Sequence, residues 1–241
     1  MFRLGSEELE APLCEASSAD GLFADAEALG TAEISFAGLT AVSDVLKDRE
    51  EIRRLDFLEV DVLSTSGLLV GHHGLGTGRV RYGLDSTGNP SVVLDAAPVH
   101  LVDGLSLWRR WCDESRPLVP GEWVPLSGAR RRSWLRIAGS VWGVTGYEAR
   151  PGAGPARLDG RLVQDRTSFY LALGEAVAGP GGYVGSNLDA LDDCLSMLDV
   201  RRRRTGFVWD HFLASRDALE PRFLAEVLDV LGERGVAVDC R

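Results

Sequence analysis

The stretch GYVGSNLDALDDCLSML, residues 182–198, sets Asp189, Asp192 and Asp193 within five positions of a segment whose apolar spacing is helical. With Leu188 as the first helical residue, Asn187 is the expected N-cap and Gly185 the residue that lets the chain turn into the helix. At 100° per residue, Asp189, Asp192, Asp193 and Ser196 fall on one side, and Leu188, Leu191, Cys194, Leu195 and Leu198 on the other. The apolar side predicts a core contact, the acidic side a free face. The helix dipole favours an acid in the first turn, which accounts for Asp189. Asp193 stands four residues beyond it with Asp192 between, and like charges so spaced oppose the helix by roughly a few tenths of a kcal/mol per pair. Spacing alone leaves two explanations, a solvated acidic face and a surface aimed at a basic partner.

On both sides of this helix the pattern alternates. Residues 156–163 read as a strand with a turn and 165–178 as a helix capped by Asp165. Residues 205–210 read as a strand, 220–235 as a helix with Pro221 at its start and Gly235 at its end, and 236–240 as a last strand. Strands separated by helices predict a small parallel sheet, and so a compact α/β domain of about 85 residues.

Upstream, ARPGAGPAR (149–157) carries Pro151, Gly152, Gly154 and Pro155, which interrupt any regular element. The expected organisation is therefore a first domain over 1–150, a Pro/Gly linker over 151–155 and the α/β domain over 156–241. The first domain reads as mainly β (α+β). Residues 32–39, 57–64, 78–84, 91–101 and 133–142 are β-branched or aromatic runs bounded by turn residues. A turn is expected at 83–91 and a helix over 41–55, spaced through Val42, Val45, Leu46, Ile52 and Leu55.

Residues 183–195, YVGSNLDALDDCL, resemble the signature of the barstar family, intracellular proteins that inhibit ribonucleases by plugging an acidic helix into the active site. The family pattern is met by Tyr183, Gly185, Asn187, Leu188, Asp189, Ala190, Leu191, Asp193, Cys194 and Leu195. The likeness extends less strictly over 156–241 and implies a three-stranded parallel sheet with flanking helices. It further implies that Asp193 sits deepest in a nuclease cleft, in place of the RNA phosphate, with Asp189 and Tyr183 beside it. The partner-binding set expected from pattern and resemblance together is Tyr183, Gly185, Asn187, Asp189, Asp192, Asp193 and Ser196. The implied partner is a basic ribonuclease or related nuclease toxin, the implied role that of an inhibitor or immunity protein without catalysis or cofactor. Three positions depart from the family: Val184 replaces a second aromatic, Asp192 replaces a tryptophan common between the two acids, and Val230, with Asp229 adjacent, falls where the last helix carries a glutamate.

Charge agrees with a basic partner. The 241-residue chain has a formal net charge of −10, which disfavours nucleic acid and anionic membrane surfaces. Both parts are acidic: residues 156–241 hold 14 acids and 11 arginines, and residues 1–155 hold 22 acids and 15 bases. Arg201 to Arg204 run against this trend, either as a solvated loop or as a contact to an acidic patch or RNA phosphate. A non-inhibitory regulatory module that binds protein or RNA through these arginines and the tryptophans is one alternative. An enzyme with its site in the first domain is another.

Other motifs carry less. GHHGLGTGRV (71–80) lacks the helix that a phosphate loop requires and is expected to be a flexible turn. His72, His73 and His100 lack the spacing of a metal site. Trp108, Trp111, Trp123, Trp134 and Trp142 are expected in the core, as is Cys194. The four scattered cysteines fit free thiols of a reducing cytosol. No signal peptide or membrane-length apolar run is recognised, and a cytoplasmic location is expected.

Overall fold

The computed structural model describes residues 1–25, 30–47, 53–112, 119–146, 155–197 and 206–241, with Arg53 described only in its backbone. The chain divides into two compact units, Met1–Arg116 and Pro117–Arg241. The expected linker at 151–155 lies, up to residue 154, outside the described residues, as do Ile52, Leu198 and Arg201 to Arg204.

The first unit is a closed antiparallel barrel of six strands. β1 (Phe2–Ser6), β2 (Cys14–Asp20), β4 (Ala32–Val42), β5 (Arg53–Leu63), β6 (Leu69–Leu84) and β7 (Pro90–Ala96) join in the order β1-β2-β4-β7-β6-β5, and β5 returns to β1. Alternation along each strand fills the interior with Leu4, Ala16, Ile34, Phe36, Leu58, Val60, Val80, Val92 and Leu94, all buried. A short parallel pair, β3 (Phe23–Ala24) with β8 (Val99–His100), precedes α2 (Gly104–Cys112), which buries Leu107, Trp108 and Trp111. The helix expected over 41–55 is the single turn α1 (Asp44–Lys47) followed, after residues 48–52, by strand from Arg53.

Two further expectations are corrected here. Residues 71–80 are no flexible turn but the middle of β6. Their glycines serve packing: a Cβ on Gly78 would stand 2.8 Å from both Leu58 and Leu94, inside the barrel, while Gly76 at φ +71° relieves the bulge opposite Leu58. Residues 133–142 are no strand but part of α3 (Gly128–Thr145), capped by Ser127, whose hydroxyl accepts from the Arg130 amide. Within α3 the side chains of Trp134, Leu135, Ile137, Ala138 and Val141 are buried at helical spacing, which outweighs the β preference of the same residue types.

In the second unit β9 (Ala156–Asp159), β10 (Phe207–Asp210) and β11 (Val238–Cys240) form a three-stranded parallel sheet in the order β11-β10-β9. Helices flank it, as expected: α4 (Arg166–Ala178), α5 (Leu188–Met197), α6 (Phe212–Ala218) and α7 (Pro221–Glu233). Asp165 caps α4 through a reciprocal box with Ser168. The core is aromatic. Phe169 stacks on Trp209 at 5.5 Å between centroids and meets Phe223 edge-on, while Trp209 Nε1 donates to the buried Ser215 Oγ at 2.9 Å. α5 packs against α7, whose Phe223 belongs to this aromatic core.

Candidate functional site

The acidic helix α5 begins where the pattern places it. Asn187 is the cap: its side-chain oxygen accepts from the Ala190 amide at 2.8 Å, and its carbonyl accepts from Leu191 N. Gly185 is buried at φ +111°, and a Cβ there would stand 2.5 Å from Leu191 N. Only glycine fits this approach to the first turn. Leu191, Cys194 and Leu195 are buried below the helix, and burial, helped by the charge of Asp193, pushes the Cys194 thiol up to about 11. That thiol is a packing group rather than a nucleophile.

The loop leading into α5 is fixed at several points. Gly182 lies so close to Gly174 of α4 that a Cβ on either would collide with the other's carbonyl oxygen. The Glu175 carboxylate accepts from Gly181 N at 3.2 Å and from Gly121 N at 2.7 Å, tying the loop and the segment before α3 to one helix. Burial raises the Glu175 pKa, and these amides oppose the rise. Tyr183 is half-buried under α3: its ring lies 5.8 Å from that of Trp142 and next to Gly139, where a Cβ would stand 3.0 Å away. Burial raises the Tyr183 pKa, and a hydrogen bond with Ser186 opposes the rise. Val184 is buried completely.

The three aspartates do not share one environment. Asp189 and Asp193 are exposed, and neither has an ion pair among the described residues. Ser196 is exposed and donates its hydroxyl proton back to Asp193 O at 2.6 Å. Asp192 departs from the expected free face. Both its oxygens accept from one guanidinium, Nε and Nη2 of Arg234 just past the end of α7, and this partner holds its carboxyl below the usual range. The expected set is thus one continuous loop and helix start. Asn187, Asp189, Asp193 and Ser196 lie open, Gly185 is structural, Tyr183 is partly covered and Asp192 is paired.

Arg234, Glu175, Gly139 and Trp142 shape this site and were not among the expected residues. No local pattern marks them, since each acts on residues distant in sequence. The remaining motifs are structural. Trp108, Trp111, Trp123 and Trp134 are buried, and Trp108 Nε1 donates to His73 Nε2 at 3.1 Å. His72 lies 3.2 Å from Asp61, and among the described residues no group of three or more His, Cys, Asp or Glu is placed to hold a metal. Nor, among them, is any helix long and apolar enough to cross a membrane.

Residues 154–238 match the family model Barstar (barnase inhibitor), which covers β9, the acidic helix, β10 and α7, ends at the first residue of β11 and leaves the barrel and α3 outside. Among curated proteins none matches the chain.

Proposed function

We propose, proceeding from a barstar-type domain at residues 154–238, that this protein inhibits a ribonuclease by placing the exposed face of α5 in a basic active site. Asp189 and Asp193 are the contacting carboxylates. Lying one turn apart, with Cβ atoms about 6 Å from each other, they stand in for successive negative charges of the RNA backbone. A ribonuclease cleft offers Lys, Arg and His to bind phosphate, and charge-assisted hydrogen bonds from those donors to fixed carboxylates exclude the substrate. Asn187, Ser196 and the exposed Met197 lie on or next to the same face and supply polar and apolar contacts at its rim.

One observation carries this reading: two unpaired carboxylates project from a helix whose entry loop is held by Gly185, Glu175 and the Gly174–Gly182 contact, within the segment that matches an inhibitor family. A surface fixed before binding loses less entropy on association. The inhibitor performs no catalysis at this site. The scattered cysteines, without the density of a disulfide framework, suit a reducing cytoplasm as the place where the protein meets its nuclease.

Inhibition of RNA cleavage by barnase, measured with increasing amounts of the purified protein, tests the proposal. Asp193→Ala is expected to weaken the complex by about 2 kcal/mol or more, the scale of a central contact, for which the barnase–barstar complex is itself a standard instance. Asp189→Ala combined with Asp193→Ala restores cleavage. Full barnase activity in the presence of excess wild-type protein, repeated with any nuclease encoded beside it, defeats the proposal.

A further inference from the structure

The Asp192–Arg234 pair lies within the proposed contact face and joins α5 to the residue just past the end of α7, the helix against which α5 packs. Each side chain is about one-third exposed, at 33% and 34%, and a pair so open contributes little to folding. Its geometry is nonetheless specific: the planar guanidinium meets both carboxylate oxygens through Nε and Nη2, the bidentate arrangement that arginine makes and lysine cannot. Arg234 is held in place by its own backbone, whose amide donates to Val230 O at the close of α7. Nη1 has no partner among the described residues, and the guanidinium also feels the charge of Asp193.

We propose that Arg234 is a specificity-determining residue of the acidic surface, because it occupies Asp192 and stands as a resident cation beside Asp193. The surface therefore takes a partner whose cations fall on Asp189 and Asp193 and whose group opposite Arg234 is an acceptor, a carboxylate or carbonyl. A partner cation directed at Asp192 must displace Arg234 and then face its positive charge, so a cleft with a cation at that point binds more weakly than one with an acceptor there. This rests on the reading of α5 as a nuclease-binding helix. It adds that two of the three carboxylates are available and that one part of the target is not basic.

Two measurements test it, using the full chain with Arg234→Gln and Asp192→Asn, both at exposed or half-exposed positions. The first needs no partner: NMR titration of the Asp192 carboxyl is expected to move up toward the ordinary carboxylate range in Arg234→Gln, and an unchanged titration means the pair does not form and overturns the proposal. The second uses barnase. Asp192→Asn is expected to change affinity by less than about threefold, Asp193→Asn to lose about thirtyfold or more, and Arg234→Gln, which removes the cation that the partner's acceptor faces and leaves Asp192 charged there, to weaken binding several-fold. Tighter binding by Arg234→Gln shows that no acceptor lies opposite and overturns the proposal. An Asp192→Asn loss as large as that of Asp193→Asn makes Asp192 a direct contact and overturns the masking role. Absence of any binding by wild type overturns the inhibitor reading and the specificity role with it, while the titration still reports whether Arg234 holds Asp192.

Discussion

Gly185 and Asp193 are set by opposite demands. Gly185 is buried and its backbone, at φ +111°, occupies a region that other residues enter only under strain. Gly185→Ala adds that strain to a Cβ 2.5 Å from Leu191 N, so a loss of about 2 kcal/mol or more in unfolding free energy is expected, read from urea denaturation. An unchanged midpoint would show that the loop has another route into the helix. Asp193 is exposed and unpaired, and its replacement is expected to leave that midpoint nearly fixed while removing binding. At this scale sequence spacing identified the cap at Asn187, the turn at Gly185 and the solvent side of Asp189 and Asp193. It misassigned Asp192 because Arg234 is 42 residues further along the chain, beyond the reach of any helical period.

Among the elements, α3 changes most between sequence and structure. The run SWLRIAGSVW is rich in aromatic and branched residues, and a strand is the local expectation; burial on a three- to four-residue period makes it a helix instead. Arg131 of α3, itself buried, donates to Gln164 at 2.8 Å and to Asp165 at 3.1 Å, so Asp165 both caps α4 and neutralises a cation from the neighbouring helix. Burial opposes ionisation of Asp165, but the Ser168 amide and hydroxyl, together with Arg131, prevail and lower its pKa. Because the folded value lies below the unfolded one, this carboxylate contributes its stability above about pH 4 and loses it as pH falls through the lowered value. Asp165→Ala is expected to cost about 1–2 kcal/mol at neutral pH, chiefly through the lost cap. It should also flatten the fall in stability below about pH 4. Thermal or urea unfolding across that range measures both; a mutant with the wild-type pH profile removes Asp165 from the account.

For the whole molecule, the division into Met1–Arg116 and Pro117–Arg241 attaches α3 to the unit that bears the acidic helix. The segment before β9 supplies the Gly121 amide to Glu175, the Arg131 guanidinium to Asp165 and the Trp142 ring to Tyr183. A fragment 117–241 is therefore expected to unfold in one cooperative transition and to retain nuclease binding. A fragment 155–241, which spans nearly all of the family match, leaves the half-buried Glu175 carboxylate short of a donor and uncovers Tyr183. It is expected to be less stable by about 2 kcal/mol or more. Comparison of the two urea midpoints decides the matter, and equal midpoints would show α3 to be dispensable to the domain.

The sequence by itself determined what depends on neighbours along the chain: the period that buries Leu191, Cys194 and Leu195, the caps at Asn187 and Asp165, the proline and glycine that bound α7, and the alternation that makes the second unit α/β. Those features follow from interactions within about one helical turn, so a linear pattern records them. Only tertiary structure decided which aspartates remain free, why β6 carries glycines, and that α3 lies against the loop leading into α5. Each of these turns on the charge or space at a residue brought near by folding. Glycine at position 78 looks like a turn until Leu58 and Leu94 surround it, and Asp192 looks open until Arg234 closes on it.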